Sequence, residues 1–189
     1  MDYKRIFHIV TLLISSPTKA WEEICAEKRQ DVAFNYVYPL IGLAALSVFI
    51  GALIDRGIGG PESYQYAMAR CCSVVIAYFG GFYLSAYLTN QLRIRMYGQE
   101  DDMQLCMMFS GYCLTVPMVL QVITGLLPDL GIISMLLQLY IIYLVWTGSS
   151  TLMHVADDKR LTFTVIVSIM LMACHSLIGG LFDMFEMSV

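Results

Sequence analysis

Residues 32–54 read VAFNYVYPLIGLAALSVFIGALI, an uncharged apolar run closed by Asp55 and Arg56. A helix needs about 20 such residues to cross a hydrocarbon core of about 30 Å, so this stretch is long enough to span a membrane. Working outward, apolar runs of similar length recur at roughly 67–91, 105–127, 130–152 and 161–183, with Pro128-Asp129 breaking the third from the fourth. The fold class this predicts is all-α, a polytopic membrane protein. Residues 32–189 form a five-helix transmembrane bundle, and residues 1–31 form a cytoplasmic or interfacial amphipathic segment. Composition agrees. Of 189 residues 58% are apolar and 14% charged, against roughly 25% charged in an ordinary soluble domain, and the mean hydropathy is +0.68. So few charges exclude intrinsic disorder, and no basic run is long enough to grip nucleic acid. The six cysteines show no C-x-x-C and no zinc-like spacing with histidine, and are read as structural.

The basic residues orient the bundle. Lys4, Arg5, Lys19, Lys28 and Arg29 precede the first span, Arg93 and Arg95 follow the second, and Lys159 and Arg160 follow the fourth. Only Arg56 and Arg70 fall on the other side. Basic residues stay cytoplasmic, which predicts an N-terminus inside and a C-terminus outside. Ahead of the first span, Ile6–Ile14 is too short to cross, and no small-x-small site follows to mark a cleaved signal peptide. Ser16 is expected to cap a helix that starts at Pro17 and carries Trp21, Ile24 and Cys25 on one face. That helix should lie in the headgroup layer with Trp21 as its interfacial anchor.

The landmarks also follow a known order. Ser16 through Ile24 resembles the P-x-x-x-W-x-x-I opening of bacterial members of the Yip family (the Ypt-interacting protein, or Yip/Yif, domain), and Tyr38-Pro39-Leu40 resembles its Y-x-P-L segment. Gly98, Gly111-Tyr112 with Pro117, and Trp146 with Gly148 are similar to its later landmarks. The resemblance covers nearly the whole chain and implies five helices with a cytoplasmic N-terminus. For this chain it implies the bacterial cytoplasmic (inner) membrane. Eukaryotic members are associated with Rab GTPases and vesicle traffic, but here the cytoplasmic head shrinks to 31 residues and the D-L-Y-G-P motif is missing. Met96-Tyr97-Gly98-Gln99 is its nearest trace.

Candidate sites are few. No Asp, Glu or Lys lies inside a span, and of the ionisable side chains that carriers use only His175 is deep, about 12 Å from the outer end of its helix at about 1.5 Å per residue. Gln138 and Gln121 lie at similar depth. Pro117 should bend the third span, with Gly111 and Tyr112 on the turns below it. Gly111, Tyr112, Pro117, Gln121, Gln138 and His175 thus form a candidate polar cavity, or else His175 and the two glutamines are interhelical glue. Ala77, Gly81 and Ser85 recur at four-residue spacing as a close helix-packing face, or as a homodimer seam; Ser47 with Gly51 and Ser176 with Gly180 repeat the device. Asp102 and Asp157-Asp158 read as helix caps. Each tyrosine hydroxyl deep in a span, as on Tyr78 or Tyr140, needs a partner.

Ser149, Ser150 and His175 cannot form a catalytic dyad, because Ser150 lies about 3 Å and His175 about 21 Å from the cytoplasmic end. No catalytic residue, cofactor or metal is expected, and the protein is read as a non-enzyme. The expected function is to organise membrane or partner proteins through the cytoplasmic face. The alternative is a small-solute or lipid permease working through the polar cavity. Expected partners are membrane lipids, other proteins and possible further copies of the chain, and not nucleic acid.

Overall fold

The computed structural model describes residues 3–26, 31–57 and 60–186, without the side chains of Pro128 and residues 181–186. Lys28 and Arg29, counted above as basic flanking residues, lie outside the described residues. The molecule is an all-α polytopic bundle. Among the described residues five helical stretches are long and apolar enough to cross a membrane: Ala33–Arg56, Pro61–Tyr97, Met103–Leu126, Gly131–Thr151 and Asp157–Ile178.

Three spans depart from a plain rod, each for a physical reason. The first opens with a π-turn, Ala33–Val37, and continues as α3, Tyr38–Arg56. Pro39 has no N–H to return to the carbonyl four residues back, and just before it the Tyr38 N–H reaches the Ala33 carbonyl instead. In the third span α5 (Met103–Cys113) and α6 (Thr115–Leu126) are separated at Leu114, three residues before Pro117. The fourth span breaks at Leu139 into α7 (Gly131–Gln138) and α8 (Tyr140–Thr151). The second, α4, runs Pro61–Tyr97, longer at both ends than the apolar stretch that announced it. Proline sits in its first turn, and Gly98 ends it at φ 61°, a conformation open to glycine at no steric cost. The fifth, α9, is Asp157–Glu186, with Asp157 and Asp158 in its first turn.

Helix α4 packs against α9, α3 and α5, while α3 packs on α6 and α8 on α9. The α3–α6 crossing is the closest kind. A methyl added to Gly51 would land on the Gly125 carbonyl oxygen, and one on Gly125 would come 2.7 Å from Ser47 Oγ. Ser47 and Gly51 therefore face α6. Gly180, by contrast, has nothing within 4 Å to receive a side chain, so Ser176 with Gly180 makes no matching crossing among the described residues.

The first 31 residues differ from expectation. Two helices, α1 (Tyr3–Ser15) and α2 (Pro17–Ala26), meet at Ser16 and pack on each other. His8 Nε2 lies 3.1 Å from Glu23 Oε1 across the pair. Trp21 is no interfacial anchor: it is fully buried. Pro17, Ala20, Trp21 and Ile24 form one apolar face of α2, and that face is buried, with α2 packed on α8. The outward apolar side chains belong to α1, where Tyr3 is 70% and Phe7 75% exposed.

Candidate functional site

Three of the six residues proposed for a polar cavity come together. Pro117, Gln138, His175 and the neighbouring Ser176 line an interior void of about 20 Å³ between α6, α7 and α9. The His175 ring stacks on Tyr78 at 4.2 Å and hydrogen-bonds the Ala77 carbonyl, while its Nδ1 is buried with no partner. Tyr78 donates to the Pro117 carbonyl at 2.9 Å, which ties α4 to the bend between α5 and α6. The other three residues go elsewhere. Gln121 does not line the void; its backbone carbonyl accepts from Ser47 Oγ of α3 at 3.5 Å. Gly111 is walled by Val37, Val32 and Phe82. Tyr112 faces the N-terminal hairpin: its ring meets Trp21 edge-on at 6.1 Å and tilts on Tyr36 at 4.7 Å, and its hydroxyl is within hydrogen-bonding reach of Arg5. The Ala77, Gly81 and Ser85 face of α4 is buried, and Gly81 lies against the His175 backbone of α9.

The hairpin docks through one side chain more than any other. The Trp21 indole stacks on Phe109 at 5.5 Å. Its six-membered ring sits over Gly148 of α8, where an added methyl would come within 2.7 Å of Cε2 and Cζ2. The buried Nε1 has no partner. The two ends of the hairpin are also held: Tyr140 donates to the Ile14 carbonyl at 3.0 Å, and Cys25 Sγ contacts the Thr151 carbonyl at 3.6 Å. Partial burial raises the Cys25 thiol above its ordinary range.

A polar clasp closes the same end of the bundle. Asn90 donates to Asp101 at 2.7 Å, and Asp102 caps α5 by accepting from the Leu105 N–H at 2.9 Å. Arg93, almost wholly buried, donates to Gln99 at 2.7 Å and reaches Cys106 Sγ at 3.5 Å. Gln99 in turn donates to the Met153 carbonyl at 3.4 Å, so the α4–α5 loop is fastened to the turn after α8. Arg160 stacks on Trp146 at 4.2 Å and donates twice to its carbonyl. In the sequence the members of the clasp look like a solvated charge run, which hides them. The one usable signal is Arg93, which falls before the end of an apolar helix and so needs buried partners.

The serine hydroxyls of the Gly148-Ser149-Ser150 run bond back to their own helix, Ser149 to Trp146 and Ser150 to Thr147. Among the described residues no three His, Cys, Asp or Glu side chains could share a metal ion. The family model of the Yip1 domain matches residues 11–178. No curated protein and no solved structure matches.

Proposed function

Because the chain belongs to the Yip1 domain family, a multi-pass membrane family, we propose that it is a non-enzymatic organiser of membrane or partner proteins. It acts through the end of the bundle that carries the hairpin and the clasp. In this reading that end is cytoplasmic and the membrane is the bacterial inner membrane, in line with the basic residues gathered there.

One observation carries the reading. Where Gln138 of α7 meets His175 and Ser176 of α9 beside Pro117 of α6, the space is about 20 Å³, room for about one water molecule. Small-molecule sites occupy roughly 300–1,000 Å³. A void of this size supports a scaffold over a permease working through Pro117, Gln138 and His175. The α1 helix, with Tyr3 and Phe7 facing out, supplies an apolar surface at leaflet level suited to lipid and to other membrane proteins.

Site-specific photocrosslinking in native membranes tests this. A crosslinker at Phe7 should capture discrete protein partners that one at Tyr64, at the other end of the bundle, does not. Equal capture from both sites, or solute flux in proteoliposomes above that of empty vesicles, would count against the reading. Tags at both termini reporting opposite compartments are expected for the proposed orientation.

A further inference from the structure

A second space, far larger than the interior void, lies beside the clasp. A fissure of about 580 Å³ opens between the segment before α3, the middle of α4 and the first turn of α5, lined by Asp31, Tyr38, Tyr83, Met103, Gln104 and Met107. Its mouth is at the polar end, since Met103 follows the Asp101-Asp102 clasp directly. Its floor is deeper: Tyr83 lies seven residues below Asn90 on α4, about 10 Å at about 1.5 Å per residue. The fissure thus runs from the headgroup level into the acyl region of one leaflet.

The lining selects a charge. Asp31 is its only acidic or basic side chain among the described residues. Asp31 Oδ1 accepts the Phe34 N–H at 3.2 Å, while Oδ2 has no partner among the described residues. Around it stand the paired hydroxyls of Tyr38 and Tyr83, and the amide of Gln104. Tyr38 is fixed by stacking on Phe79 at 4.8 Å, whereas Tyr83 stays 40% exposed. A carboxylate oxygen, phenol oxygens and a half-open aromatic ring are acceptors for a cation that can also donate hydrogen bonds. Met103 and Met107 supply a pliable apolar wall beside it.

The geometry points to a binding site for a phosphatidylethanolamine headgroup, its ammonium on Asp31 at the mouth and one acyl chain running down past Met107 to Tyr83. A primary ammonium has three N–H donors to spend there. The trimethylated ammonium of a choline lipid has none, and a glycerol headgroup brings no cation to meet Asp31. This rests on the membrane-spanning bundle and not on the organiser role, so either can fail alone.

The test is native mass spectrometry of the full chain in detergent with dioleoyl phosphatidylethanolamine, phosphatidylcholine and phosphatidylglycerol at equal concentration. Retention of the ethanolamine lipid should exceed that of the others about tenfold, the effect of about one charge-assisted hydrogen bond. Asp31→Asn keeps an acceptor for the Phe34 N–H but loses the charge, and should erase the preference. Met107→Trp, which fills the fissure without touching Asp31, should lower retention of the ethanolamine lipid to the level of the others, and stands in if Asp31→Asn fails to fold. Equal retention of the three lipids overturns the proposal, as does an undiminished preference in either variant. Free ethanolamine competing as well as the lipid would also overturn it, since the site would then read a soluble amine.

Discussion

A methyl placed on Gly148 would stand 2.7 Å from two ring carbons of Trp21 and 2.9 Å from Phe109 Cε2, where carbon atoms settle at about 3.5–4.0 Å. The indole must therefore retreat by about 1 Å, yet it is fully buried with Phe109 stacked against it. Gly148→Ala is expected to cost about 1–3 kcal/mol through overpacking, less about 1 kcal/mol regained because alanine is the better helix former. Trp21→Ala alone should cost about 3 kcal/mol, the low end for a buried tryptophan, because lipid and not water receives the undocked face. Combined, the two should not add. In the Trp21→Ala background the Gly148 methyl enters vacated space and the overpacking cost should vanish, a coupling of about 1–3 kcal/mol. Reversible unfolding in mild detergent measures the cycle. A second readout uses the fact that the chain has only two tryptophans. In a Trp146→Phe protein the remaining Trp21 should be poorly quenched by brominated lipid, far less than Trp146 in the Trp21→Phe counterpart. Additive costs, or a Trp21 as accessible as Trp146, would refute the docked hairpin.

Other expectations follow from single contacts. Gly51→Ala should destabilise by about 1–3 kcal/mol because the methyl meets the Gly125 carbonyl, whereas Gly42→Ala, with nothing within 4 Å, should be neutral or stabilising by up to about 1 kcal/mol; equal melting shifts would argue against the crossing. Tyr78→Phe keeps the stack on His175 and loses only the bond to the Pro117 carbonyl, so a drop of about 0.5–1.5 kcal/mol is expected from unfolding titrations. Asp102→Ala removes the cap on the Leu105 N–H and should cost about 1 kcal/mol, while Asp102→Asn should restore most of it. Because burial raises the Cys25 thiol, its thiolate fraction at neutral pH is below that of a free cysteine. Maleimide labelling of Cys25, read by peptide mass, should therefore climb at a higher pH than labelling of a model thiol; coincident profiles would contradict the burial.

The five spans were legible because length and polarity alone decide them, and a run such as 105–127 has no other way to be stable. The candidate cavity was only half legible, because depth along a helix is one coordinate and rotation about it is another. Each residue turns about 100°, so Tyr112, five before Pro117, points roughly 140° away from it. It joins the wall that receives the hairpin, although its depth is right. Gln121 lies about one turn from Pro117 yet does not line the void; on that stretch of α6 Gly51 and Gly125 let α3 approach closely, and Ser47 of α3 reaches the Gln121 backbone carbonyl. Trp21 shows the same limit. The apolar face Pro17, Ala20, Trp21, Ile24 is plain in the sequence, but a lipid surface and a groove in α8 would select the same residues. What decides between them is the missing side chain at Gly148, and nothing local to α2 announces it.

The tyrosines obey a rule of the same kind. A phenol inside a bilayer has no water to bond, so each deep hydroxyl implies a partner on chemical grounds alone. Tyr36 meets Thr115 at 2.8 Å, Tyr78 meets the Pro117 carbonyl, and Tyr140 meets the carbonyls of Leu13 and Ile14. Two of these three join the rest of the molecule to the bent third span, and the third holds the hairpin. The partners lie near interruptions of helix geometry: Thr115 and Pro117 fall just after the bend at Leu114, and Ile14 is one residue from the end of α1. The Leu13 and Ile14 carbonyls lie in the last turn of α1, where acceptors have no partner in their own helix. Proline positions and helix ends are readable from sequence, so the set of available acceptors can be named in advance. The pairing itself depends on which helices are neighbours, and that is fixed by small residues such as Gly81, Gly125 and Gly148, whose contacts are tertiary.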